Sequence, residues 1–212
     1  MITVLPRVVP AEAGKPVRDG VSTIQRESAA IAENPSSWSA GNARQVIEQY
    51  RQLAPLWDDE RGRYRRIPLA DALARGGPLP DGWCAELGCG TGLLTPLLTQ
   101  VWSRVAGLDL SWDMLHRSAA PARILADASR TPLLDGQAAA IVLADVPLFA
   151  PEMVRILAHH GVVIWSNALG RDAPHHVPIE TVRSSLAQAS GAAWSAVTAE
   201  AGWGLWAVLR RA

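Results

Sequence analysis

The sequence has little cysteine, no excess of either charge and no long apolar run. Its 212 residues include two cysteines, Cys84 and Cys89, which are too few for a disulfide framework or a cysteine-based zinc site. Twenty basic residues balance twenty acidic residues, so bulk charge does not favour a polyanion, and nucleic acid is not expected as a partner. No apolar run approaches about 18 residues, which argues against a membrane-spanning helix and predicts a soluble, cytoplasmic protein.

Composition and periodicity divide the chain into three regions. Prolines and glycines punctuate residues 1–36, which favours an N-terminal arm. Apolar side chains at helical spacing, such as Val46 and Tyr50, predict a helical cap or lid over residues 37–80. Residues 81–212 have the regular pattern of a folded core. Whether the arm joins two copies into a homodimer stays open at this point.

In the core region, short apolar segments alternate with segments of helical length. We predict strands at Trp83–Leu87, Val105–Leu110, Ala122–Leu125, Ala138–Leu143, Val162–Ser166, Trp194–Thr198 and Leu205–Leu209. We predict helices at Leu93–Val101, Ser111–Ser118, Pro151–His159 and Ile179–Ala189. Strands that are apolar on both faces and separated by helices indicate a parallel sheet between two helical layers. The expectation is an α/β three-layer sandwich of seven strands, mostly parallel, with an antiparallel last strand.

A glycine-rich segment, Glu86-Leu-Gly-Cys-Gly-Thr-Gly92, follows the first strand of the core and precedes a helix. Glycines let backbone amides approach a ligand closely, so this arrangement is typical of a site for an adenosine-containing cofactor. Leu93 stands where the dinucleotide-binding pattern needs a small residue, and the lysine of a P-loop is absent. Glu86 is a poor neighbour for a pyrophosphate but suits a ligand with an amine and a sulfonium.

This segment resembles the first motif of the class I, Rossmann-like S-adenosylmethionine-dependent methyltransferases of the small-molecule type. The resemblance extends from about Tyr50 to Arg210 and implies S-adenosylmethionine as the cofactor. The family's second landmark matches Gly107–Ser111, where Asp109 would bind the ribose hydroxyls and Leu110 would pack on the adenine. A carboxylate has two acceptor oxygens and is a natural partner for a vicinal diol.

Two further landmarks of the family follow at later strand ends. By resemblance, the Asp127 side chain and the Ala128 amide would bind the adenine, and Leu143–Val146 would lie beside the methionine portion. The implied cofactor-binding residues are Tyr50, Glu86, Gly88, Cys89, Gly90, Gly92, Asp109, Leu110, Met114, Asp127, Ala128 and Ala144.

The acceptor side is expected at the same edge of the sheet. His175 and His176 follow the fifth predicted strand and Asp145 ends the fourth, so any of the three is a candidate general base. The alternative for the histidines is a solvated or structural role. No second acid pairs with Asp145 near Ser166-Asn167, so a metal is not expected.

The resulting expectation is methyl transfer to O, N or C of a small organic acceptor. The segment Asp145-Val-Pro-Leu148 lacks the aromatic residue that nucleic-acid amino-methylating members use to stack on a base. Two alternatives remain: methylation of RNA or protein, and S-adenosylmethionine binding without methyl transfer.

Overall fold

The computed structural model describes residues 1–16, 21–58 and 62–212. Seven α-helices lie within these residues: α1 (Val21–Glu33), α2 (Ala40–Leu53), α3 (Gly62–Arg75), α4 (Thr95–Leu98), α5 (Trp112–Leu115), α6 (Ala150–Ile156) and α7 (Ile179–Ser190). The strands are β1 (Ile2–Val4), β2 (Trp83–Leu87), β3 (Arg104–Asp109), β4 (Ala122–Leu125), β5 (Ala138–Ala144), β6 (Leu157–Asn167), β7 (Trp194–Ala201) and β8 (Gly204–Arg211).

The strands of the described part form one sheet in the order β1-β7-β8-β6-β5-β2-β3-β4. Strand β8 runs antiparallel to both of its neighbours, and the remaining pairs are parallel. The α/β sandwich with an antiparallel last strand is therefore confirmed.

The expected count of seven strands is wrong, because Ile2–Val4 adds an eighth strand at the edge of the sheet. Ile2 pairs with Ala196 and Val4 with Thr198, both on β7. Three residues are too few to show the alternation that marks a strand in a sequence, and the pairing partner lies at the other end of the chain. The N-terminal arm thus begins as part of the sheet.

Two element boundaries differ from the prediction for identifiable reasons. The glycines and prolines of this region predict a helix from about Pro68 to Ala74, whereas helix α3 spans Gly62–Arg75 with Pro68 in its interior. Strand β6 begins at Leu157, within a segment predicted to be helical, and its pairing with β5 shifts register between Ala138 and Ala140. Both differences depend on contacts with other elements that local spacing does not encode.

Apolar side chains pack against both faces of the sheet. One cluster includes the buried Leu143 and Trp165, and a second includes Ile164 and Trp206. A third, smaller cluster joins the cap to the core through Trp57 and other side chains: Ala54, Met114, Tyr50 and Leu53. This third cluster lies where the parallel strands end, which is the edge at which open α/β sheets bind their ligands.

Candidate active site

The loop after β2, here called the glycine loop (Gly88–Gly92), has left-handed backbone at three positions. The φ angles are +67° at Gly88, +56° at Gly90 and +75° at Gly92. A Cβ atom at Gly88 would lie 2.4 Å from Val146 Cγ2, and one at Gly92 would lie 2.7 Å from the backbone nitrogen of Ala119. Only glycine fits these positions without strain. The backbone amides at the carboxyl end of β2 are therefore not covered by side chains at these three positions.

Asp109 ends β3 beside the glycine loop, as the sequence predicted. Its Oδ2 accepts a hydrogen bond of 2.7 Å from the Gly90 amide, and its Oδ1 accepts one of 2.8 Å from the Ser111 amide. Burial raises the pKa of this carboxyl, and the amide hydrogen bonds oppose that rise. Each oxygen keeps a further lone pair, so the carboxylate can still accept from two hydroxyls of a ligand.

The Glu86 side chain lies in the protein interior next to the glycine loop. Its side chain is almost fully buried, and its Oε2 accepts a hydrogen bond of 2.5 Å from the Thr95 hydroxyl. Burial raises the pKa of this carboxyl to about 7; the Thr95 bond opposes the shift and the Asp109 charge adds to it. Glu86 therefore ties β2 to the first residue of α4, below the glycine loop.

The carboxylate expected to bind adenine contacts an indole in the structure. Asp127 Oδ2 accepts a hydrogen bond of 2.9 Å from Trp38 Nε1, and Oδ1 accepts one of 2.8 Å from the Ser129 amide. Trp38 also packs edge-on against Phe149, with ring centroids 5.4 Å apart. Its role was not evident in the sequence, because nothing local to Trp38 indicates a partner so far along the chain.

Aromatic side chains from the region predicted to form a cap lie over the glycine loop. The Tyr50 and Trp57 rings make an edge-on contact at 5.3 Å. A Cβ at Gly90 would lie 3.1 Å from Met114 Cε and 3.8 Å from Trp57 Nε1, so both side chains lie directly over that glycine. The Asp58 carboxylate accepts a hydrogen bond of 2.6 Å from the Thr91 hydroxyl and fastens the cap to the loop.

The remaining cofactor-side candidates differ in exposure. Leu110, Ala128 and Ala144 are half-buried at or just beyond the ends of β3, β4 and β5. Cys89 is buried, and its amide donates to the Leu108 carbonyl at 3.0 Å. Burial raises the pKa of the Cys89 thiol, so this cysteine fills space in the loop and is not a reactive thiolate.

A second group of side chains, here called the polar cluster, lies beyond β5 and β6. It consists of Ser28, Arg65, Asp145, Asn167, His175 and His176. Asp145 has a left-handed backbone with φ +56°, which is uncommon for a non-glycine residue and often marks a functional position. Its Oδ1 accepts hydrogen bonds from the Ala168 amide at 3.2 Å and from Asn167 Nδ2 at 3.4 Å.

Arg65 of α3 brings a positive charge to this cluster. Its Nη1 lies 3.5 Å from Asp145 Oδ2, at the outer limit of a direct hydrogen bond. The guanidinium carbon lies 4.6 Å from the centre of the Trp57 ring, within the range of a cation–π contact. Arg65 was missed in the sequence because it is one of several arginines in a basic segment, with no spacing signal of its own.

The two candidate histidines occupy different environments. His175 Nδ1 lies 2.9 Å from the hydroxyl of Ser28 on α1, and burial together with the Arg65 charge lowers its pKa to about 4, against the effect of Asp145. His176 Nδ1 donates to Asn167 Oδ1 at 3.1 Å, and burial likewise lowers its pKa. Both imidazoles are therefore weaker bases than an ordinary histidine.

The described residues contain no group of three histidine, cysteine, aspartate or glutamate side chains able to hold a metal ion. In the same residues, none of the helices combines the length and the apolar character needed to cross a bilayer.

Comparison with known proteins identifies the class. Residues 85–165 match the family model described as a methyltransferase domain. A trans-aconitate 2-methyltransferase from Azoarcus sp. is 33% identical over 167 residues, covering 70% of this chain and 66% of that protein. A malonyl-[acyl-carrier protein] O-methyltransferase from Hamiltonella defensa is 33% identical over 101 residues, covering 42% and 39%. Among solved structures, the DhpI–SAH complex aligns with a TM-score of 0.64 at 22% identity, over 82% of this chain and 98% of that one.

With the sheet order and the glycine loop, these matches show that the chain belongs to the class I S-adenosylmethionine-dependent methyltransferases. The chain spans 39% and 66% of the lengths of the two curated relatives. The structural likeness, at 22% identity, concerns the fold.

Proposed function

We propose that this chain binds S-adenosylmethionine at the carboxyl edge of β2, β3, β4 and β5 and transfers its methyl group to a small organic acceptor. The carrying observation is the pair formed by Asp109 and the glycine loop. The Asp109 carboxylate accepts a hydrogen bond of 2.7 Å from the Gly90 amide. A group able to bind hydroxyls therefore lies directly beside the backbone of the glycine loop. A ribose attached to a sulfur-containing side chain fits that combination, whereas Leu93 stands where a dinucleotide site needs a small residue.

The other residues of this edge take roles that follow from their positions. Asp127 and the Ala128 amide would bind the adenine, with Trp38 beside the same carboxylate. Leu110 and Met114 would pack on the adenine, and Ala144 would lie beside the methionine portion. Tyr50 and Trp57 would close the cap over the cofactor, which excludes water from the reacting groups. S-adenosylmethionine, when bound, supplies a methyl group already activated on a sulfonium.

Positioning is the main task left to the protein. An acceptor held in line with the methyl carbon and the sulfur reacts much faster than one that is free in solution. The polar cluster lies across Trp57 from the glycine loop, so it is the part of this edge suited to orient the acceptor. His175, His176 and Asp145 remain the candidates for a base, should the acceptor have to lose a proton.

Two observations favour a small acceptor. Among the relatives, one acts on trans-aconitate. The polar cluster is also largely enclosed, since Ser28, Arg65 and Asn167 are all buried. An enclosed site of this kind suits a small molecule better than a large polymer. The balanced charge of the chain provides no bulk attraction for RNA.

Two measurements test the proposed function. Isothermal titration should show binding of S-adenosylhomocysteine and no binding of nicotinamide or flavin dinucleotides. Methyl-labelled donor should then label a small-molecule extract in preference to RNA and protein fractions. Dinucleotide binding without S-adenosylhomocysteine binding contradicts the proposed cofactor, and label confined to RNA or protein contradicts the proposed acceptor class.

A further inference from the structure

The Arg65 guanidinium has an unused donor in a buried position. Arg65 is 91% buried by area, since 9% of its surface is exposed. Its Nε atom is inaccessible to solvent and has no acceptor among the residues that the structure describes. Leaving a buried donor without a partner is costly, so native proteins retain one for a reason such as a ligand.

The chemistry of that donor defines the ligand. Asp145 lies beside Nη1, which leaves the edge formed by Nε and Nη2 on the other side of the guanidinium. That edge presents two parallel N–H groups, the geometry that binds both oxygens of a carboxylate. The 3.5 Å separation from Asp145 shows that the existing ion pair does not saturate the guanidinium.

Trp57 places this donor next to the cofactor cradle. The ring lies over Gly90 of the glycine loop, and the Arg65 guanidinium lies 4.6 Å from the centre of the same ring. An anion bound by Arg65 would therefore lie next to Trp57, the same side chain that lies over the glycine loop.

We propose that Arg65 binds a carboxylate of the acceptor and that this chain methylates a carboxylate oxygen to form a methyl ester. This inference rests on the proposed function. One oxygen of the acceptor forms the new bond to the methyl carbon as the bond from that carbon to sulfur breaks. The electron pair of the broken bond stays on sulfur, which becomes a neutral thioether. No proton has to leave, because the carboxylate is already ionised at neutral pH.

The remaining members of the polar cluster agree with an anionic acceptor. A hydroxyl or ammonium acceptor would require a base, yet both histidines are held in environments that weaken them as bases. Asp145 is engaged with Arg65, Asn167 and the Ala168 amide, and so positions the arginine. The cluster thus offers a guanidinium held in place by the Asp145 carboxylate, together with two imidazoles that are weak bases.

The first test uses the wild-type protein. Methyl-labelled donor is incubated with the small-molecule extract, the products are treated with alkali, and released labelled methanol is measured. Methyl esters hydrolyse under these conditions, whereas methyl ethers, methylamines and C-methyl groups are stable. We expect most of the label to be released. Alkali-stable label keeps the proposed function and overturns the carboxylate inference, and absence of any transfer contradicts the proposed function itself.

The second test changes the arginine. In Arg65→Gln, the half-saturating amount of extract should rise at least tenfold, while S-adenosylhomocysteine affinity changes less than about threefold, since one bidentate ion pair contributes more than 1.4 kcal/mol. Arg65→Lys should recover part of the loss, because it keeps the charge but not the two parallel donors. Arg51→Gln is the control, since it removes the same charge from an exposed side chain of α2 whose ion pair is with Glu48 on the same helix. Equal saturation by wild-type and Arg65→Gln proteins would overturn the assignment to Arg65.

Discussion

In the glycine loop, backbone conformation places the functional groups, whereas in the polar cluster side chains from distant segments place one another. Three left-handed glycines and one carboxylate define the cofactor side, all within 22 residues of sequence from Gly88 to Asp109. Ser28 and His175, which meet in the polar cluster, are 147 residues apart. A backbone-built site is visible as a local motif, and a side-chain-built site becomes visible only after folding.

The largest effect should follow from a substitution in the glycine loop. Gly92→Ala would introduce left-handed strain and push a methyl group to within 2.7 Å of the Ala119 nitrogen. We expect a loss of about 2–5 kcal/mol in the free energy of unfolding and no measurable S-adenosylhomocysteine binding. Chemical denaturation and isothermal titration provide the two measurements.

Gly136→Ala is the matched control for this change. Gly136 has a φ of +65°, close to that of Gly92, but a Cβ there would meet nothing within 4 Å. Gly136→Ala should lower the free energy of unfolding by about 1 kcal/mol and leave S-adenosylhomocysteine binding unchanged. Equal costs for the two variants would mean that the close approach at Gly92 is unimportant.

The next effect concerns the buried Glu86. Its carboxyl has a pKa of about 7, above the ordinary value of 4.5, so the folded protein binds the proton more tightly than the unfolded chain. The contribution of the protonated Glu86 carboxyl to the free energy of unfolding is fully present below about pH 4.5. It is lost as the pH rises through 7. We expect Glu86→Gln to remove that loss and to raise the free energy of unfolding at pH 8 by about 3 kcal/mol relative to wild type. Urea unfolding from pH 5 to pH 8 measures the difference.

Glu152 provides a control of opposite sign. Burial raises its pKa, but hydrogen bonds from Arg155 and Thr131 outweigh burial and lower it overall. The ionised Glu152 carboxyl therefore stabilises the folded protein at pH values above the pKa that this carboxyl has in the unfolded chain. This stabilisation is lost as the pH falls through the lower pKa of the folded state. Glu152→Gln should destabilise the protein near pH 7 and have a smaller effect in acid. A common pH trend in both variants would contradict the opposite environments assigned to the two carboxyls.

A smaller effect is expected at the ribose position. Asp109→Ala removes the acceptor of the Gly90 and Ser111 amides together with the proposed hydroxyl ligand. Cofactor affinity should fall by about 1–3 kcal/mol, the usual result of leaving buried polar groups unpaired. Titration with S-adenosylhomocysteine measures the change, and circular dichroism confirms that the fold persists. An unchanged dissociation constant would exclude Asp109 from ribose binding.

The same contrast explains what the sequence predicted and what it did not. The strands at Trp83–Leu87 and Ala122–Leu125 were predicted with their bounds, because short apolar segments between helices are a local signal. The position of Asp109 followed from a local motif in the same way. Strand β1 and the Trp38–Asp127 hydrogen bond were not predicted, because each depends on a partner far along the chain.

Arg65 shows the same limit within the site. Its segment contains several arginines, and only its burial against Trp57 and its approach to Asp145 distinguish it from its neighbours. Composition and spacing carry neither property. The histidines were noticed because they follow β6, yet their weakened basicity comes from burial and nearby charges that the sequence does not display.

The smallest effect is expected when the histidines lose their ability to titrate. His175→Asn and His176→Asn each place an amide nitrogen near the position of Nδ1, so the contacts with Ser28 and Asn167 can be kept. A general base contributes about 10²–10⁴-fold to a rate. With a carboxylate acceptor, single-turnover methyl transfer should fall by less than about tenfold, and its pH profile between pH 6 and 8 should keep its shape. A larger fall together with the loss of an ionisation in that range would show that a histidine acts as the base, and that the acceptor gives up a proton.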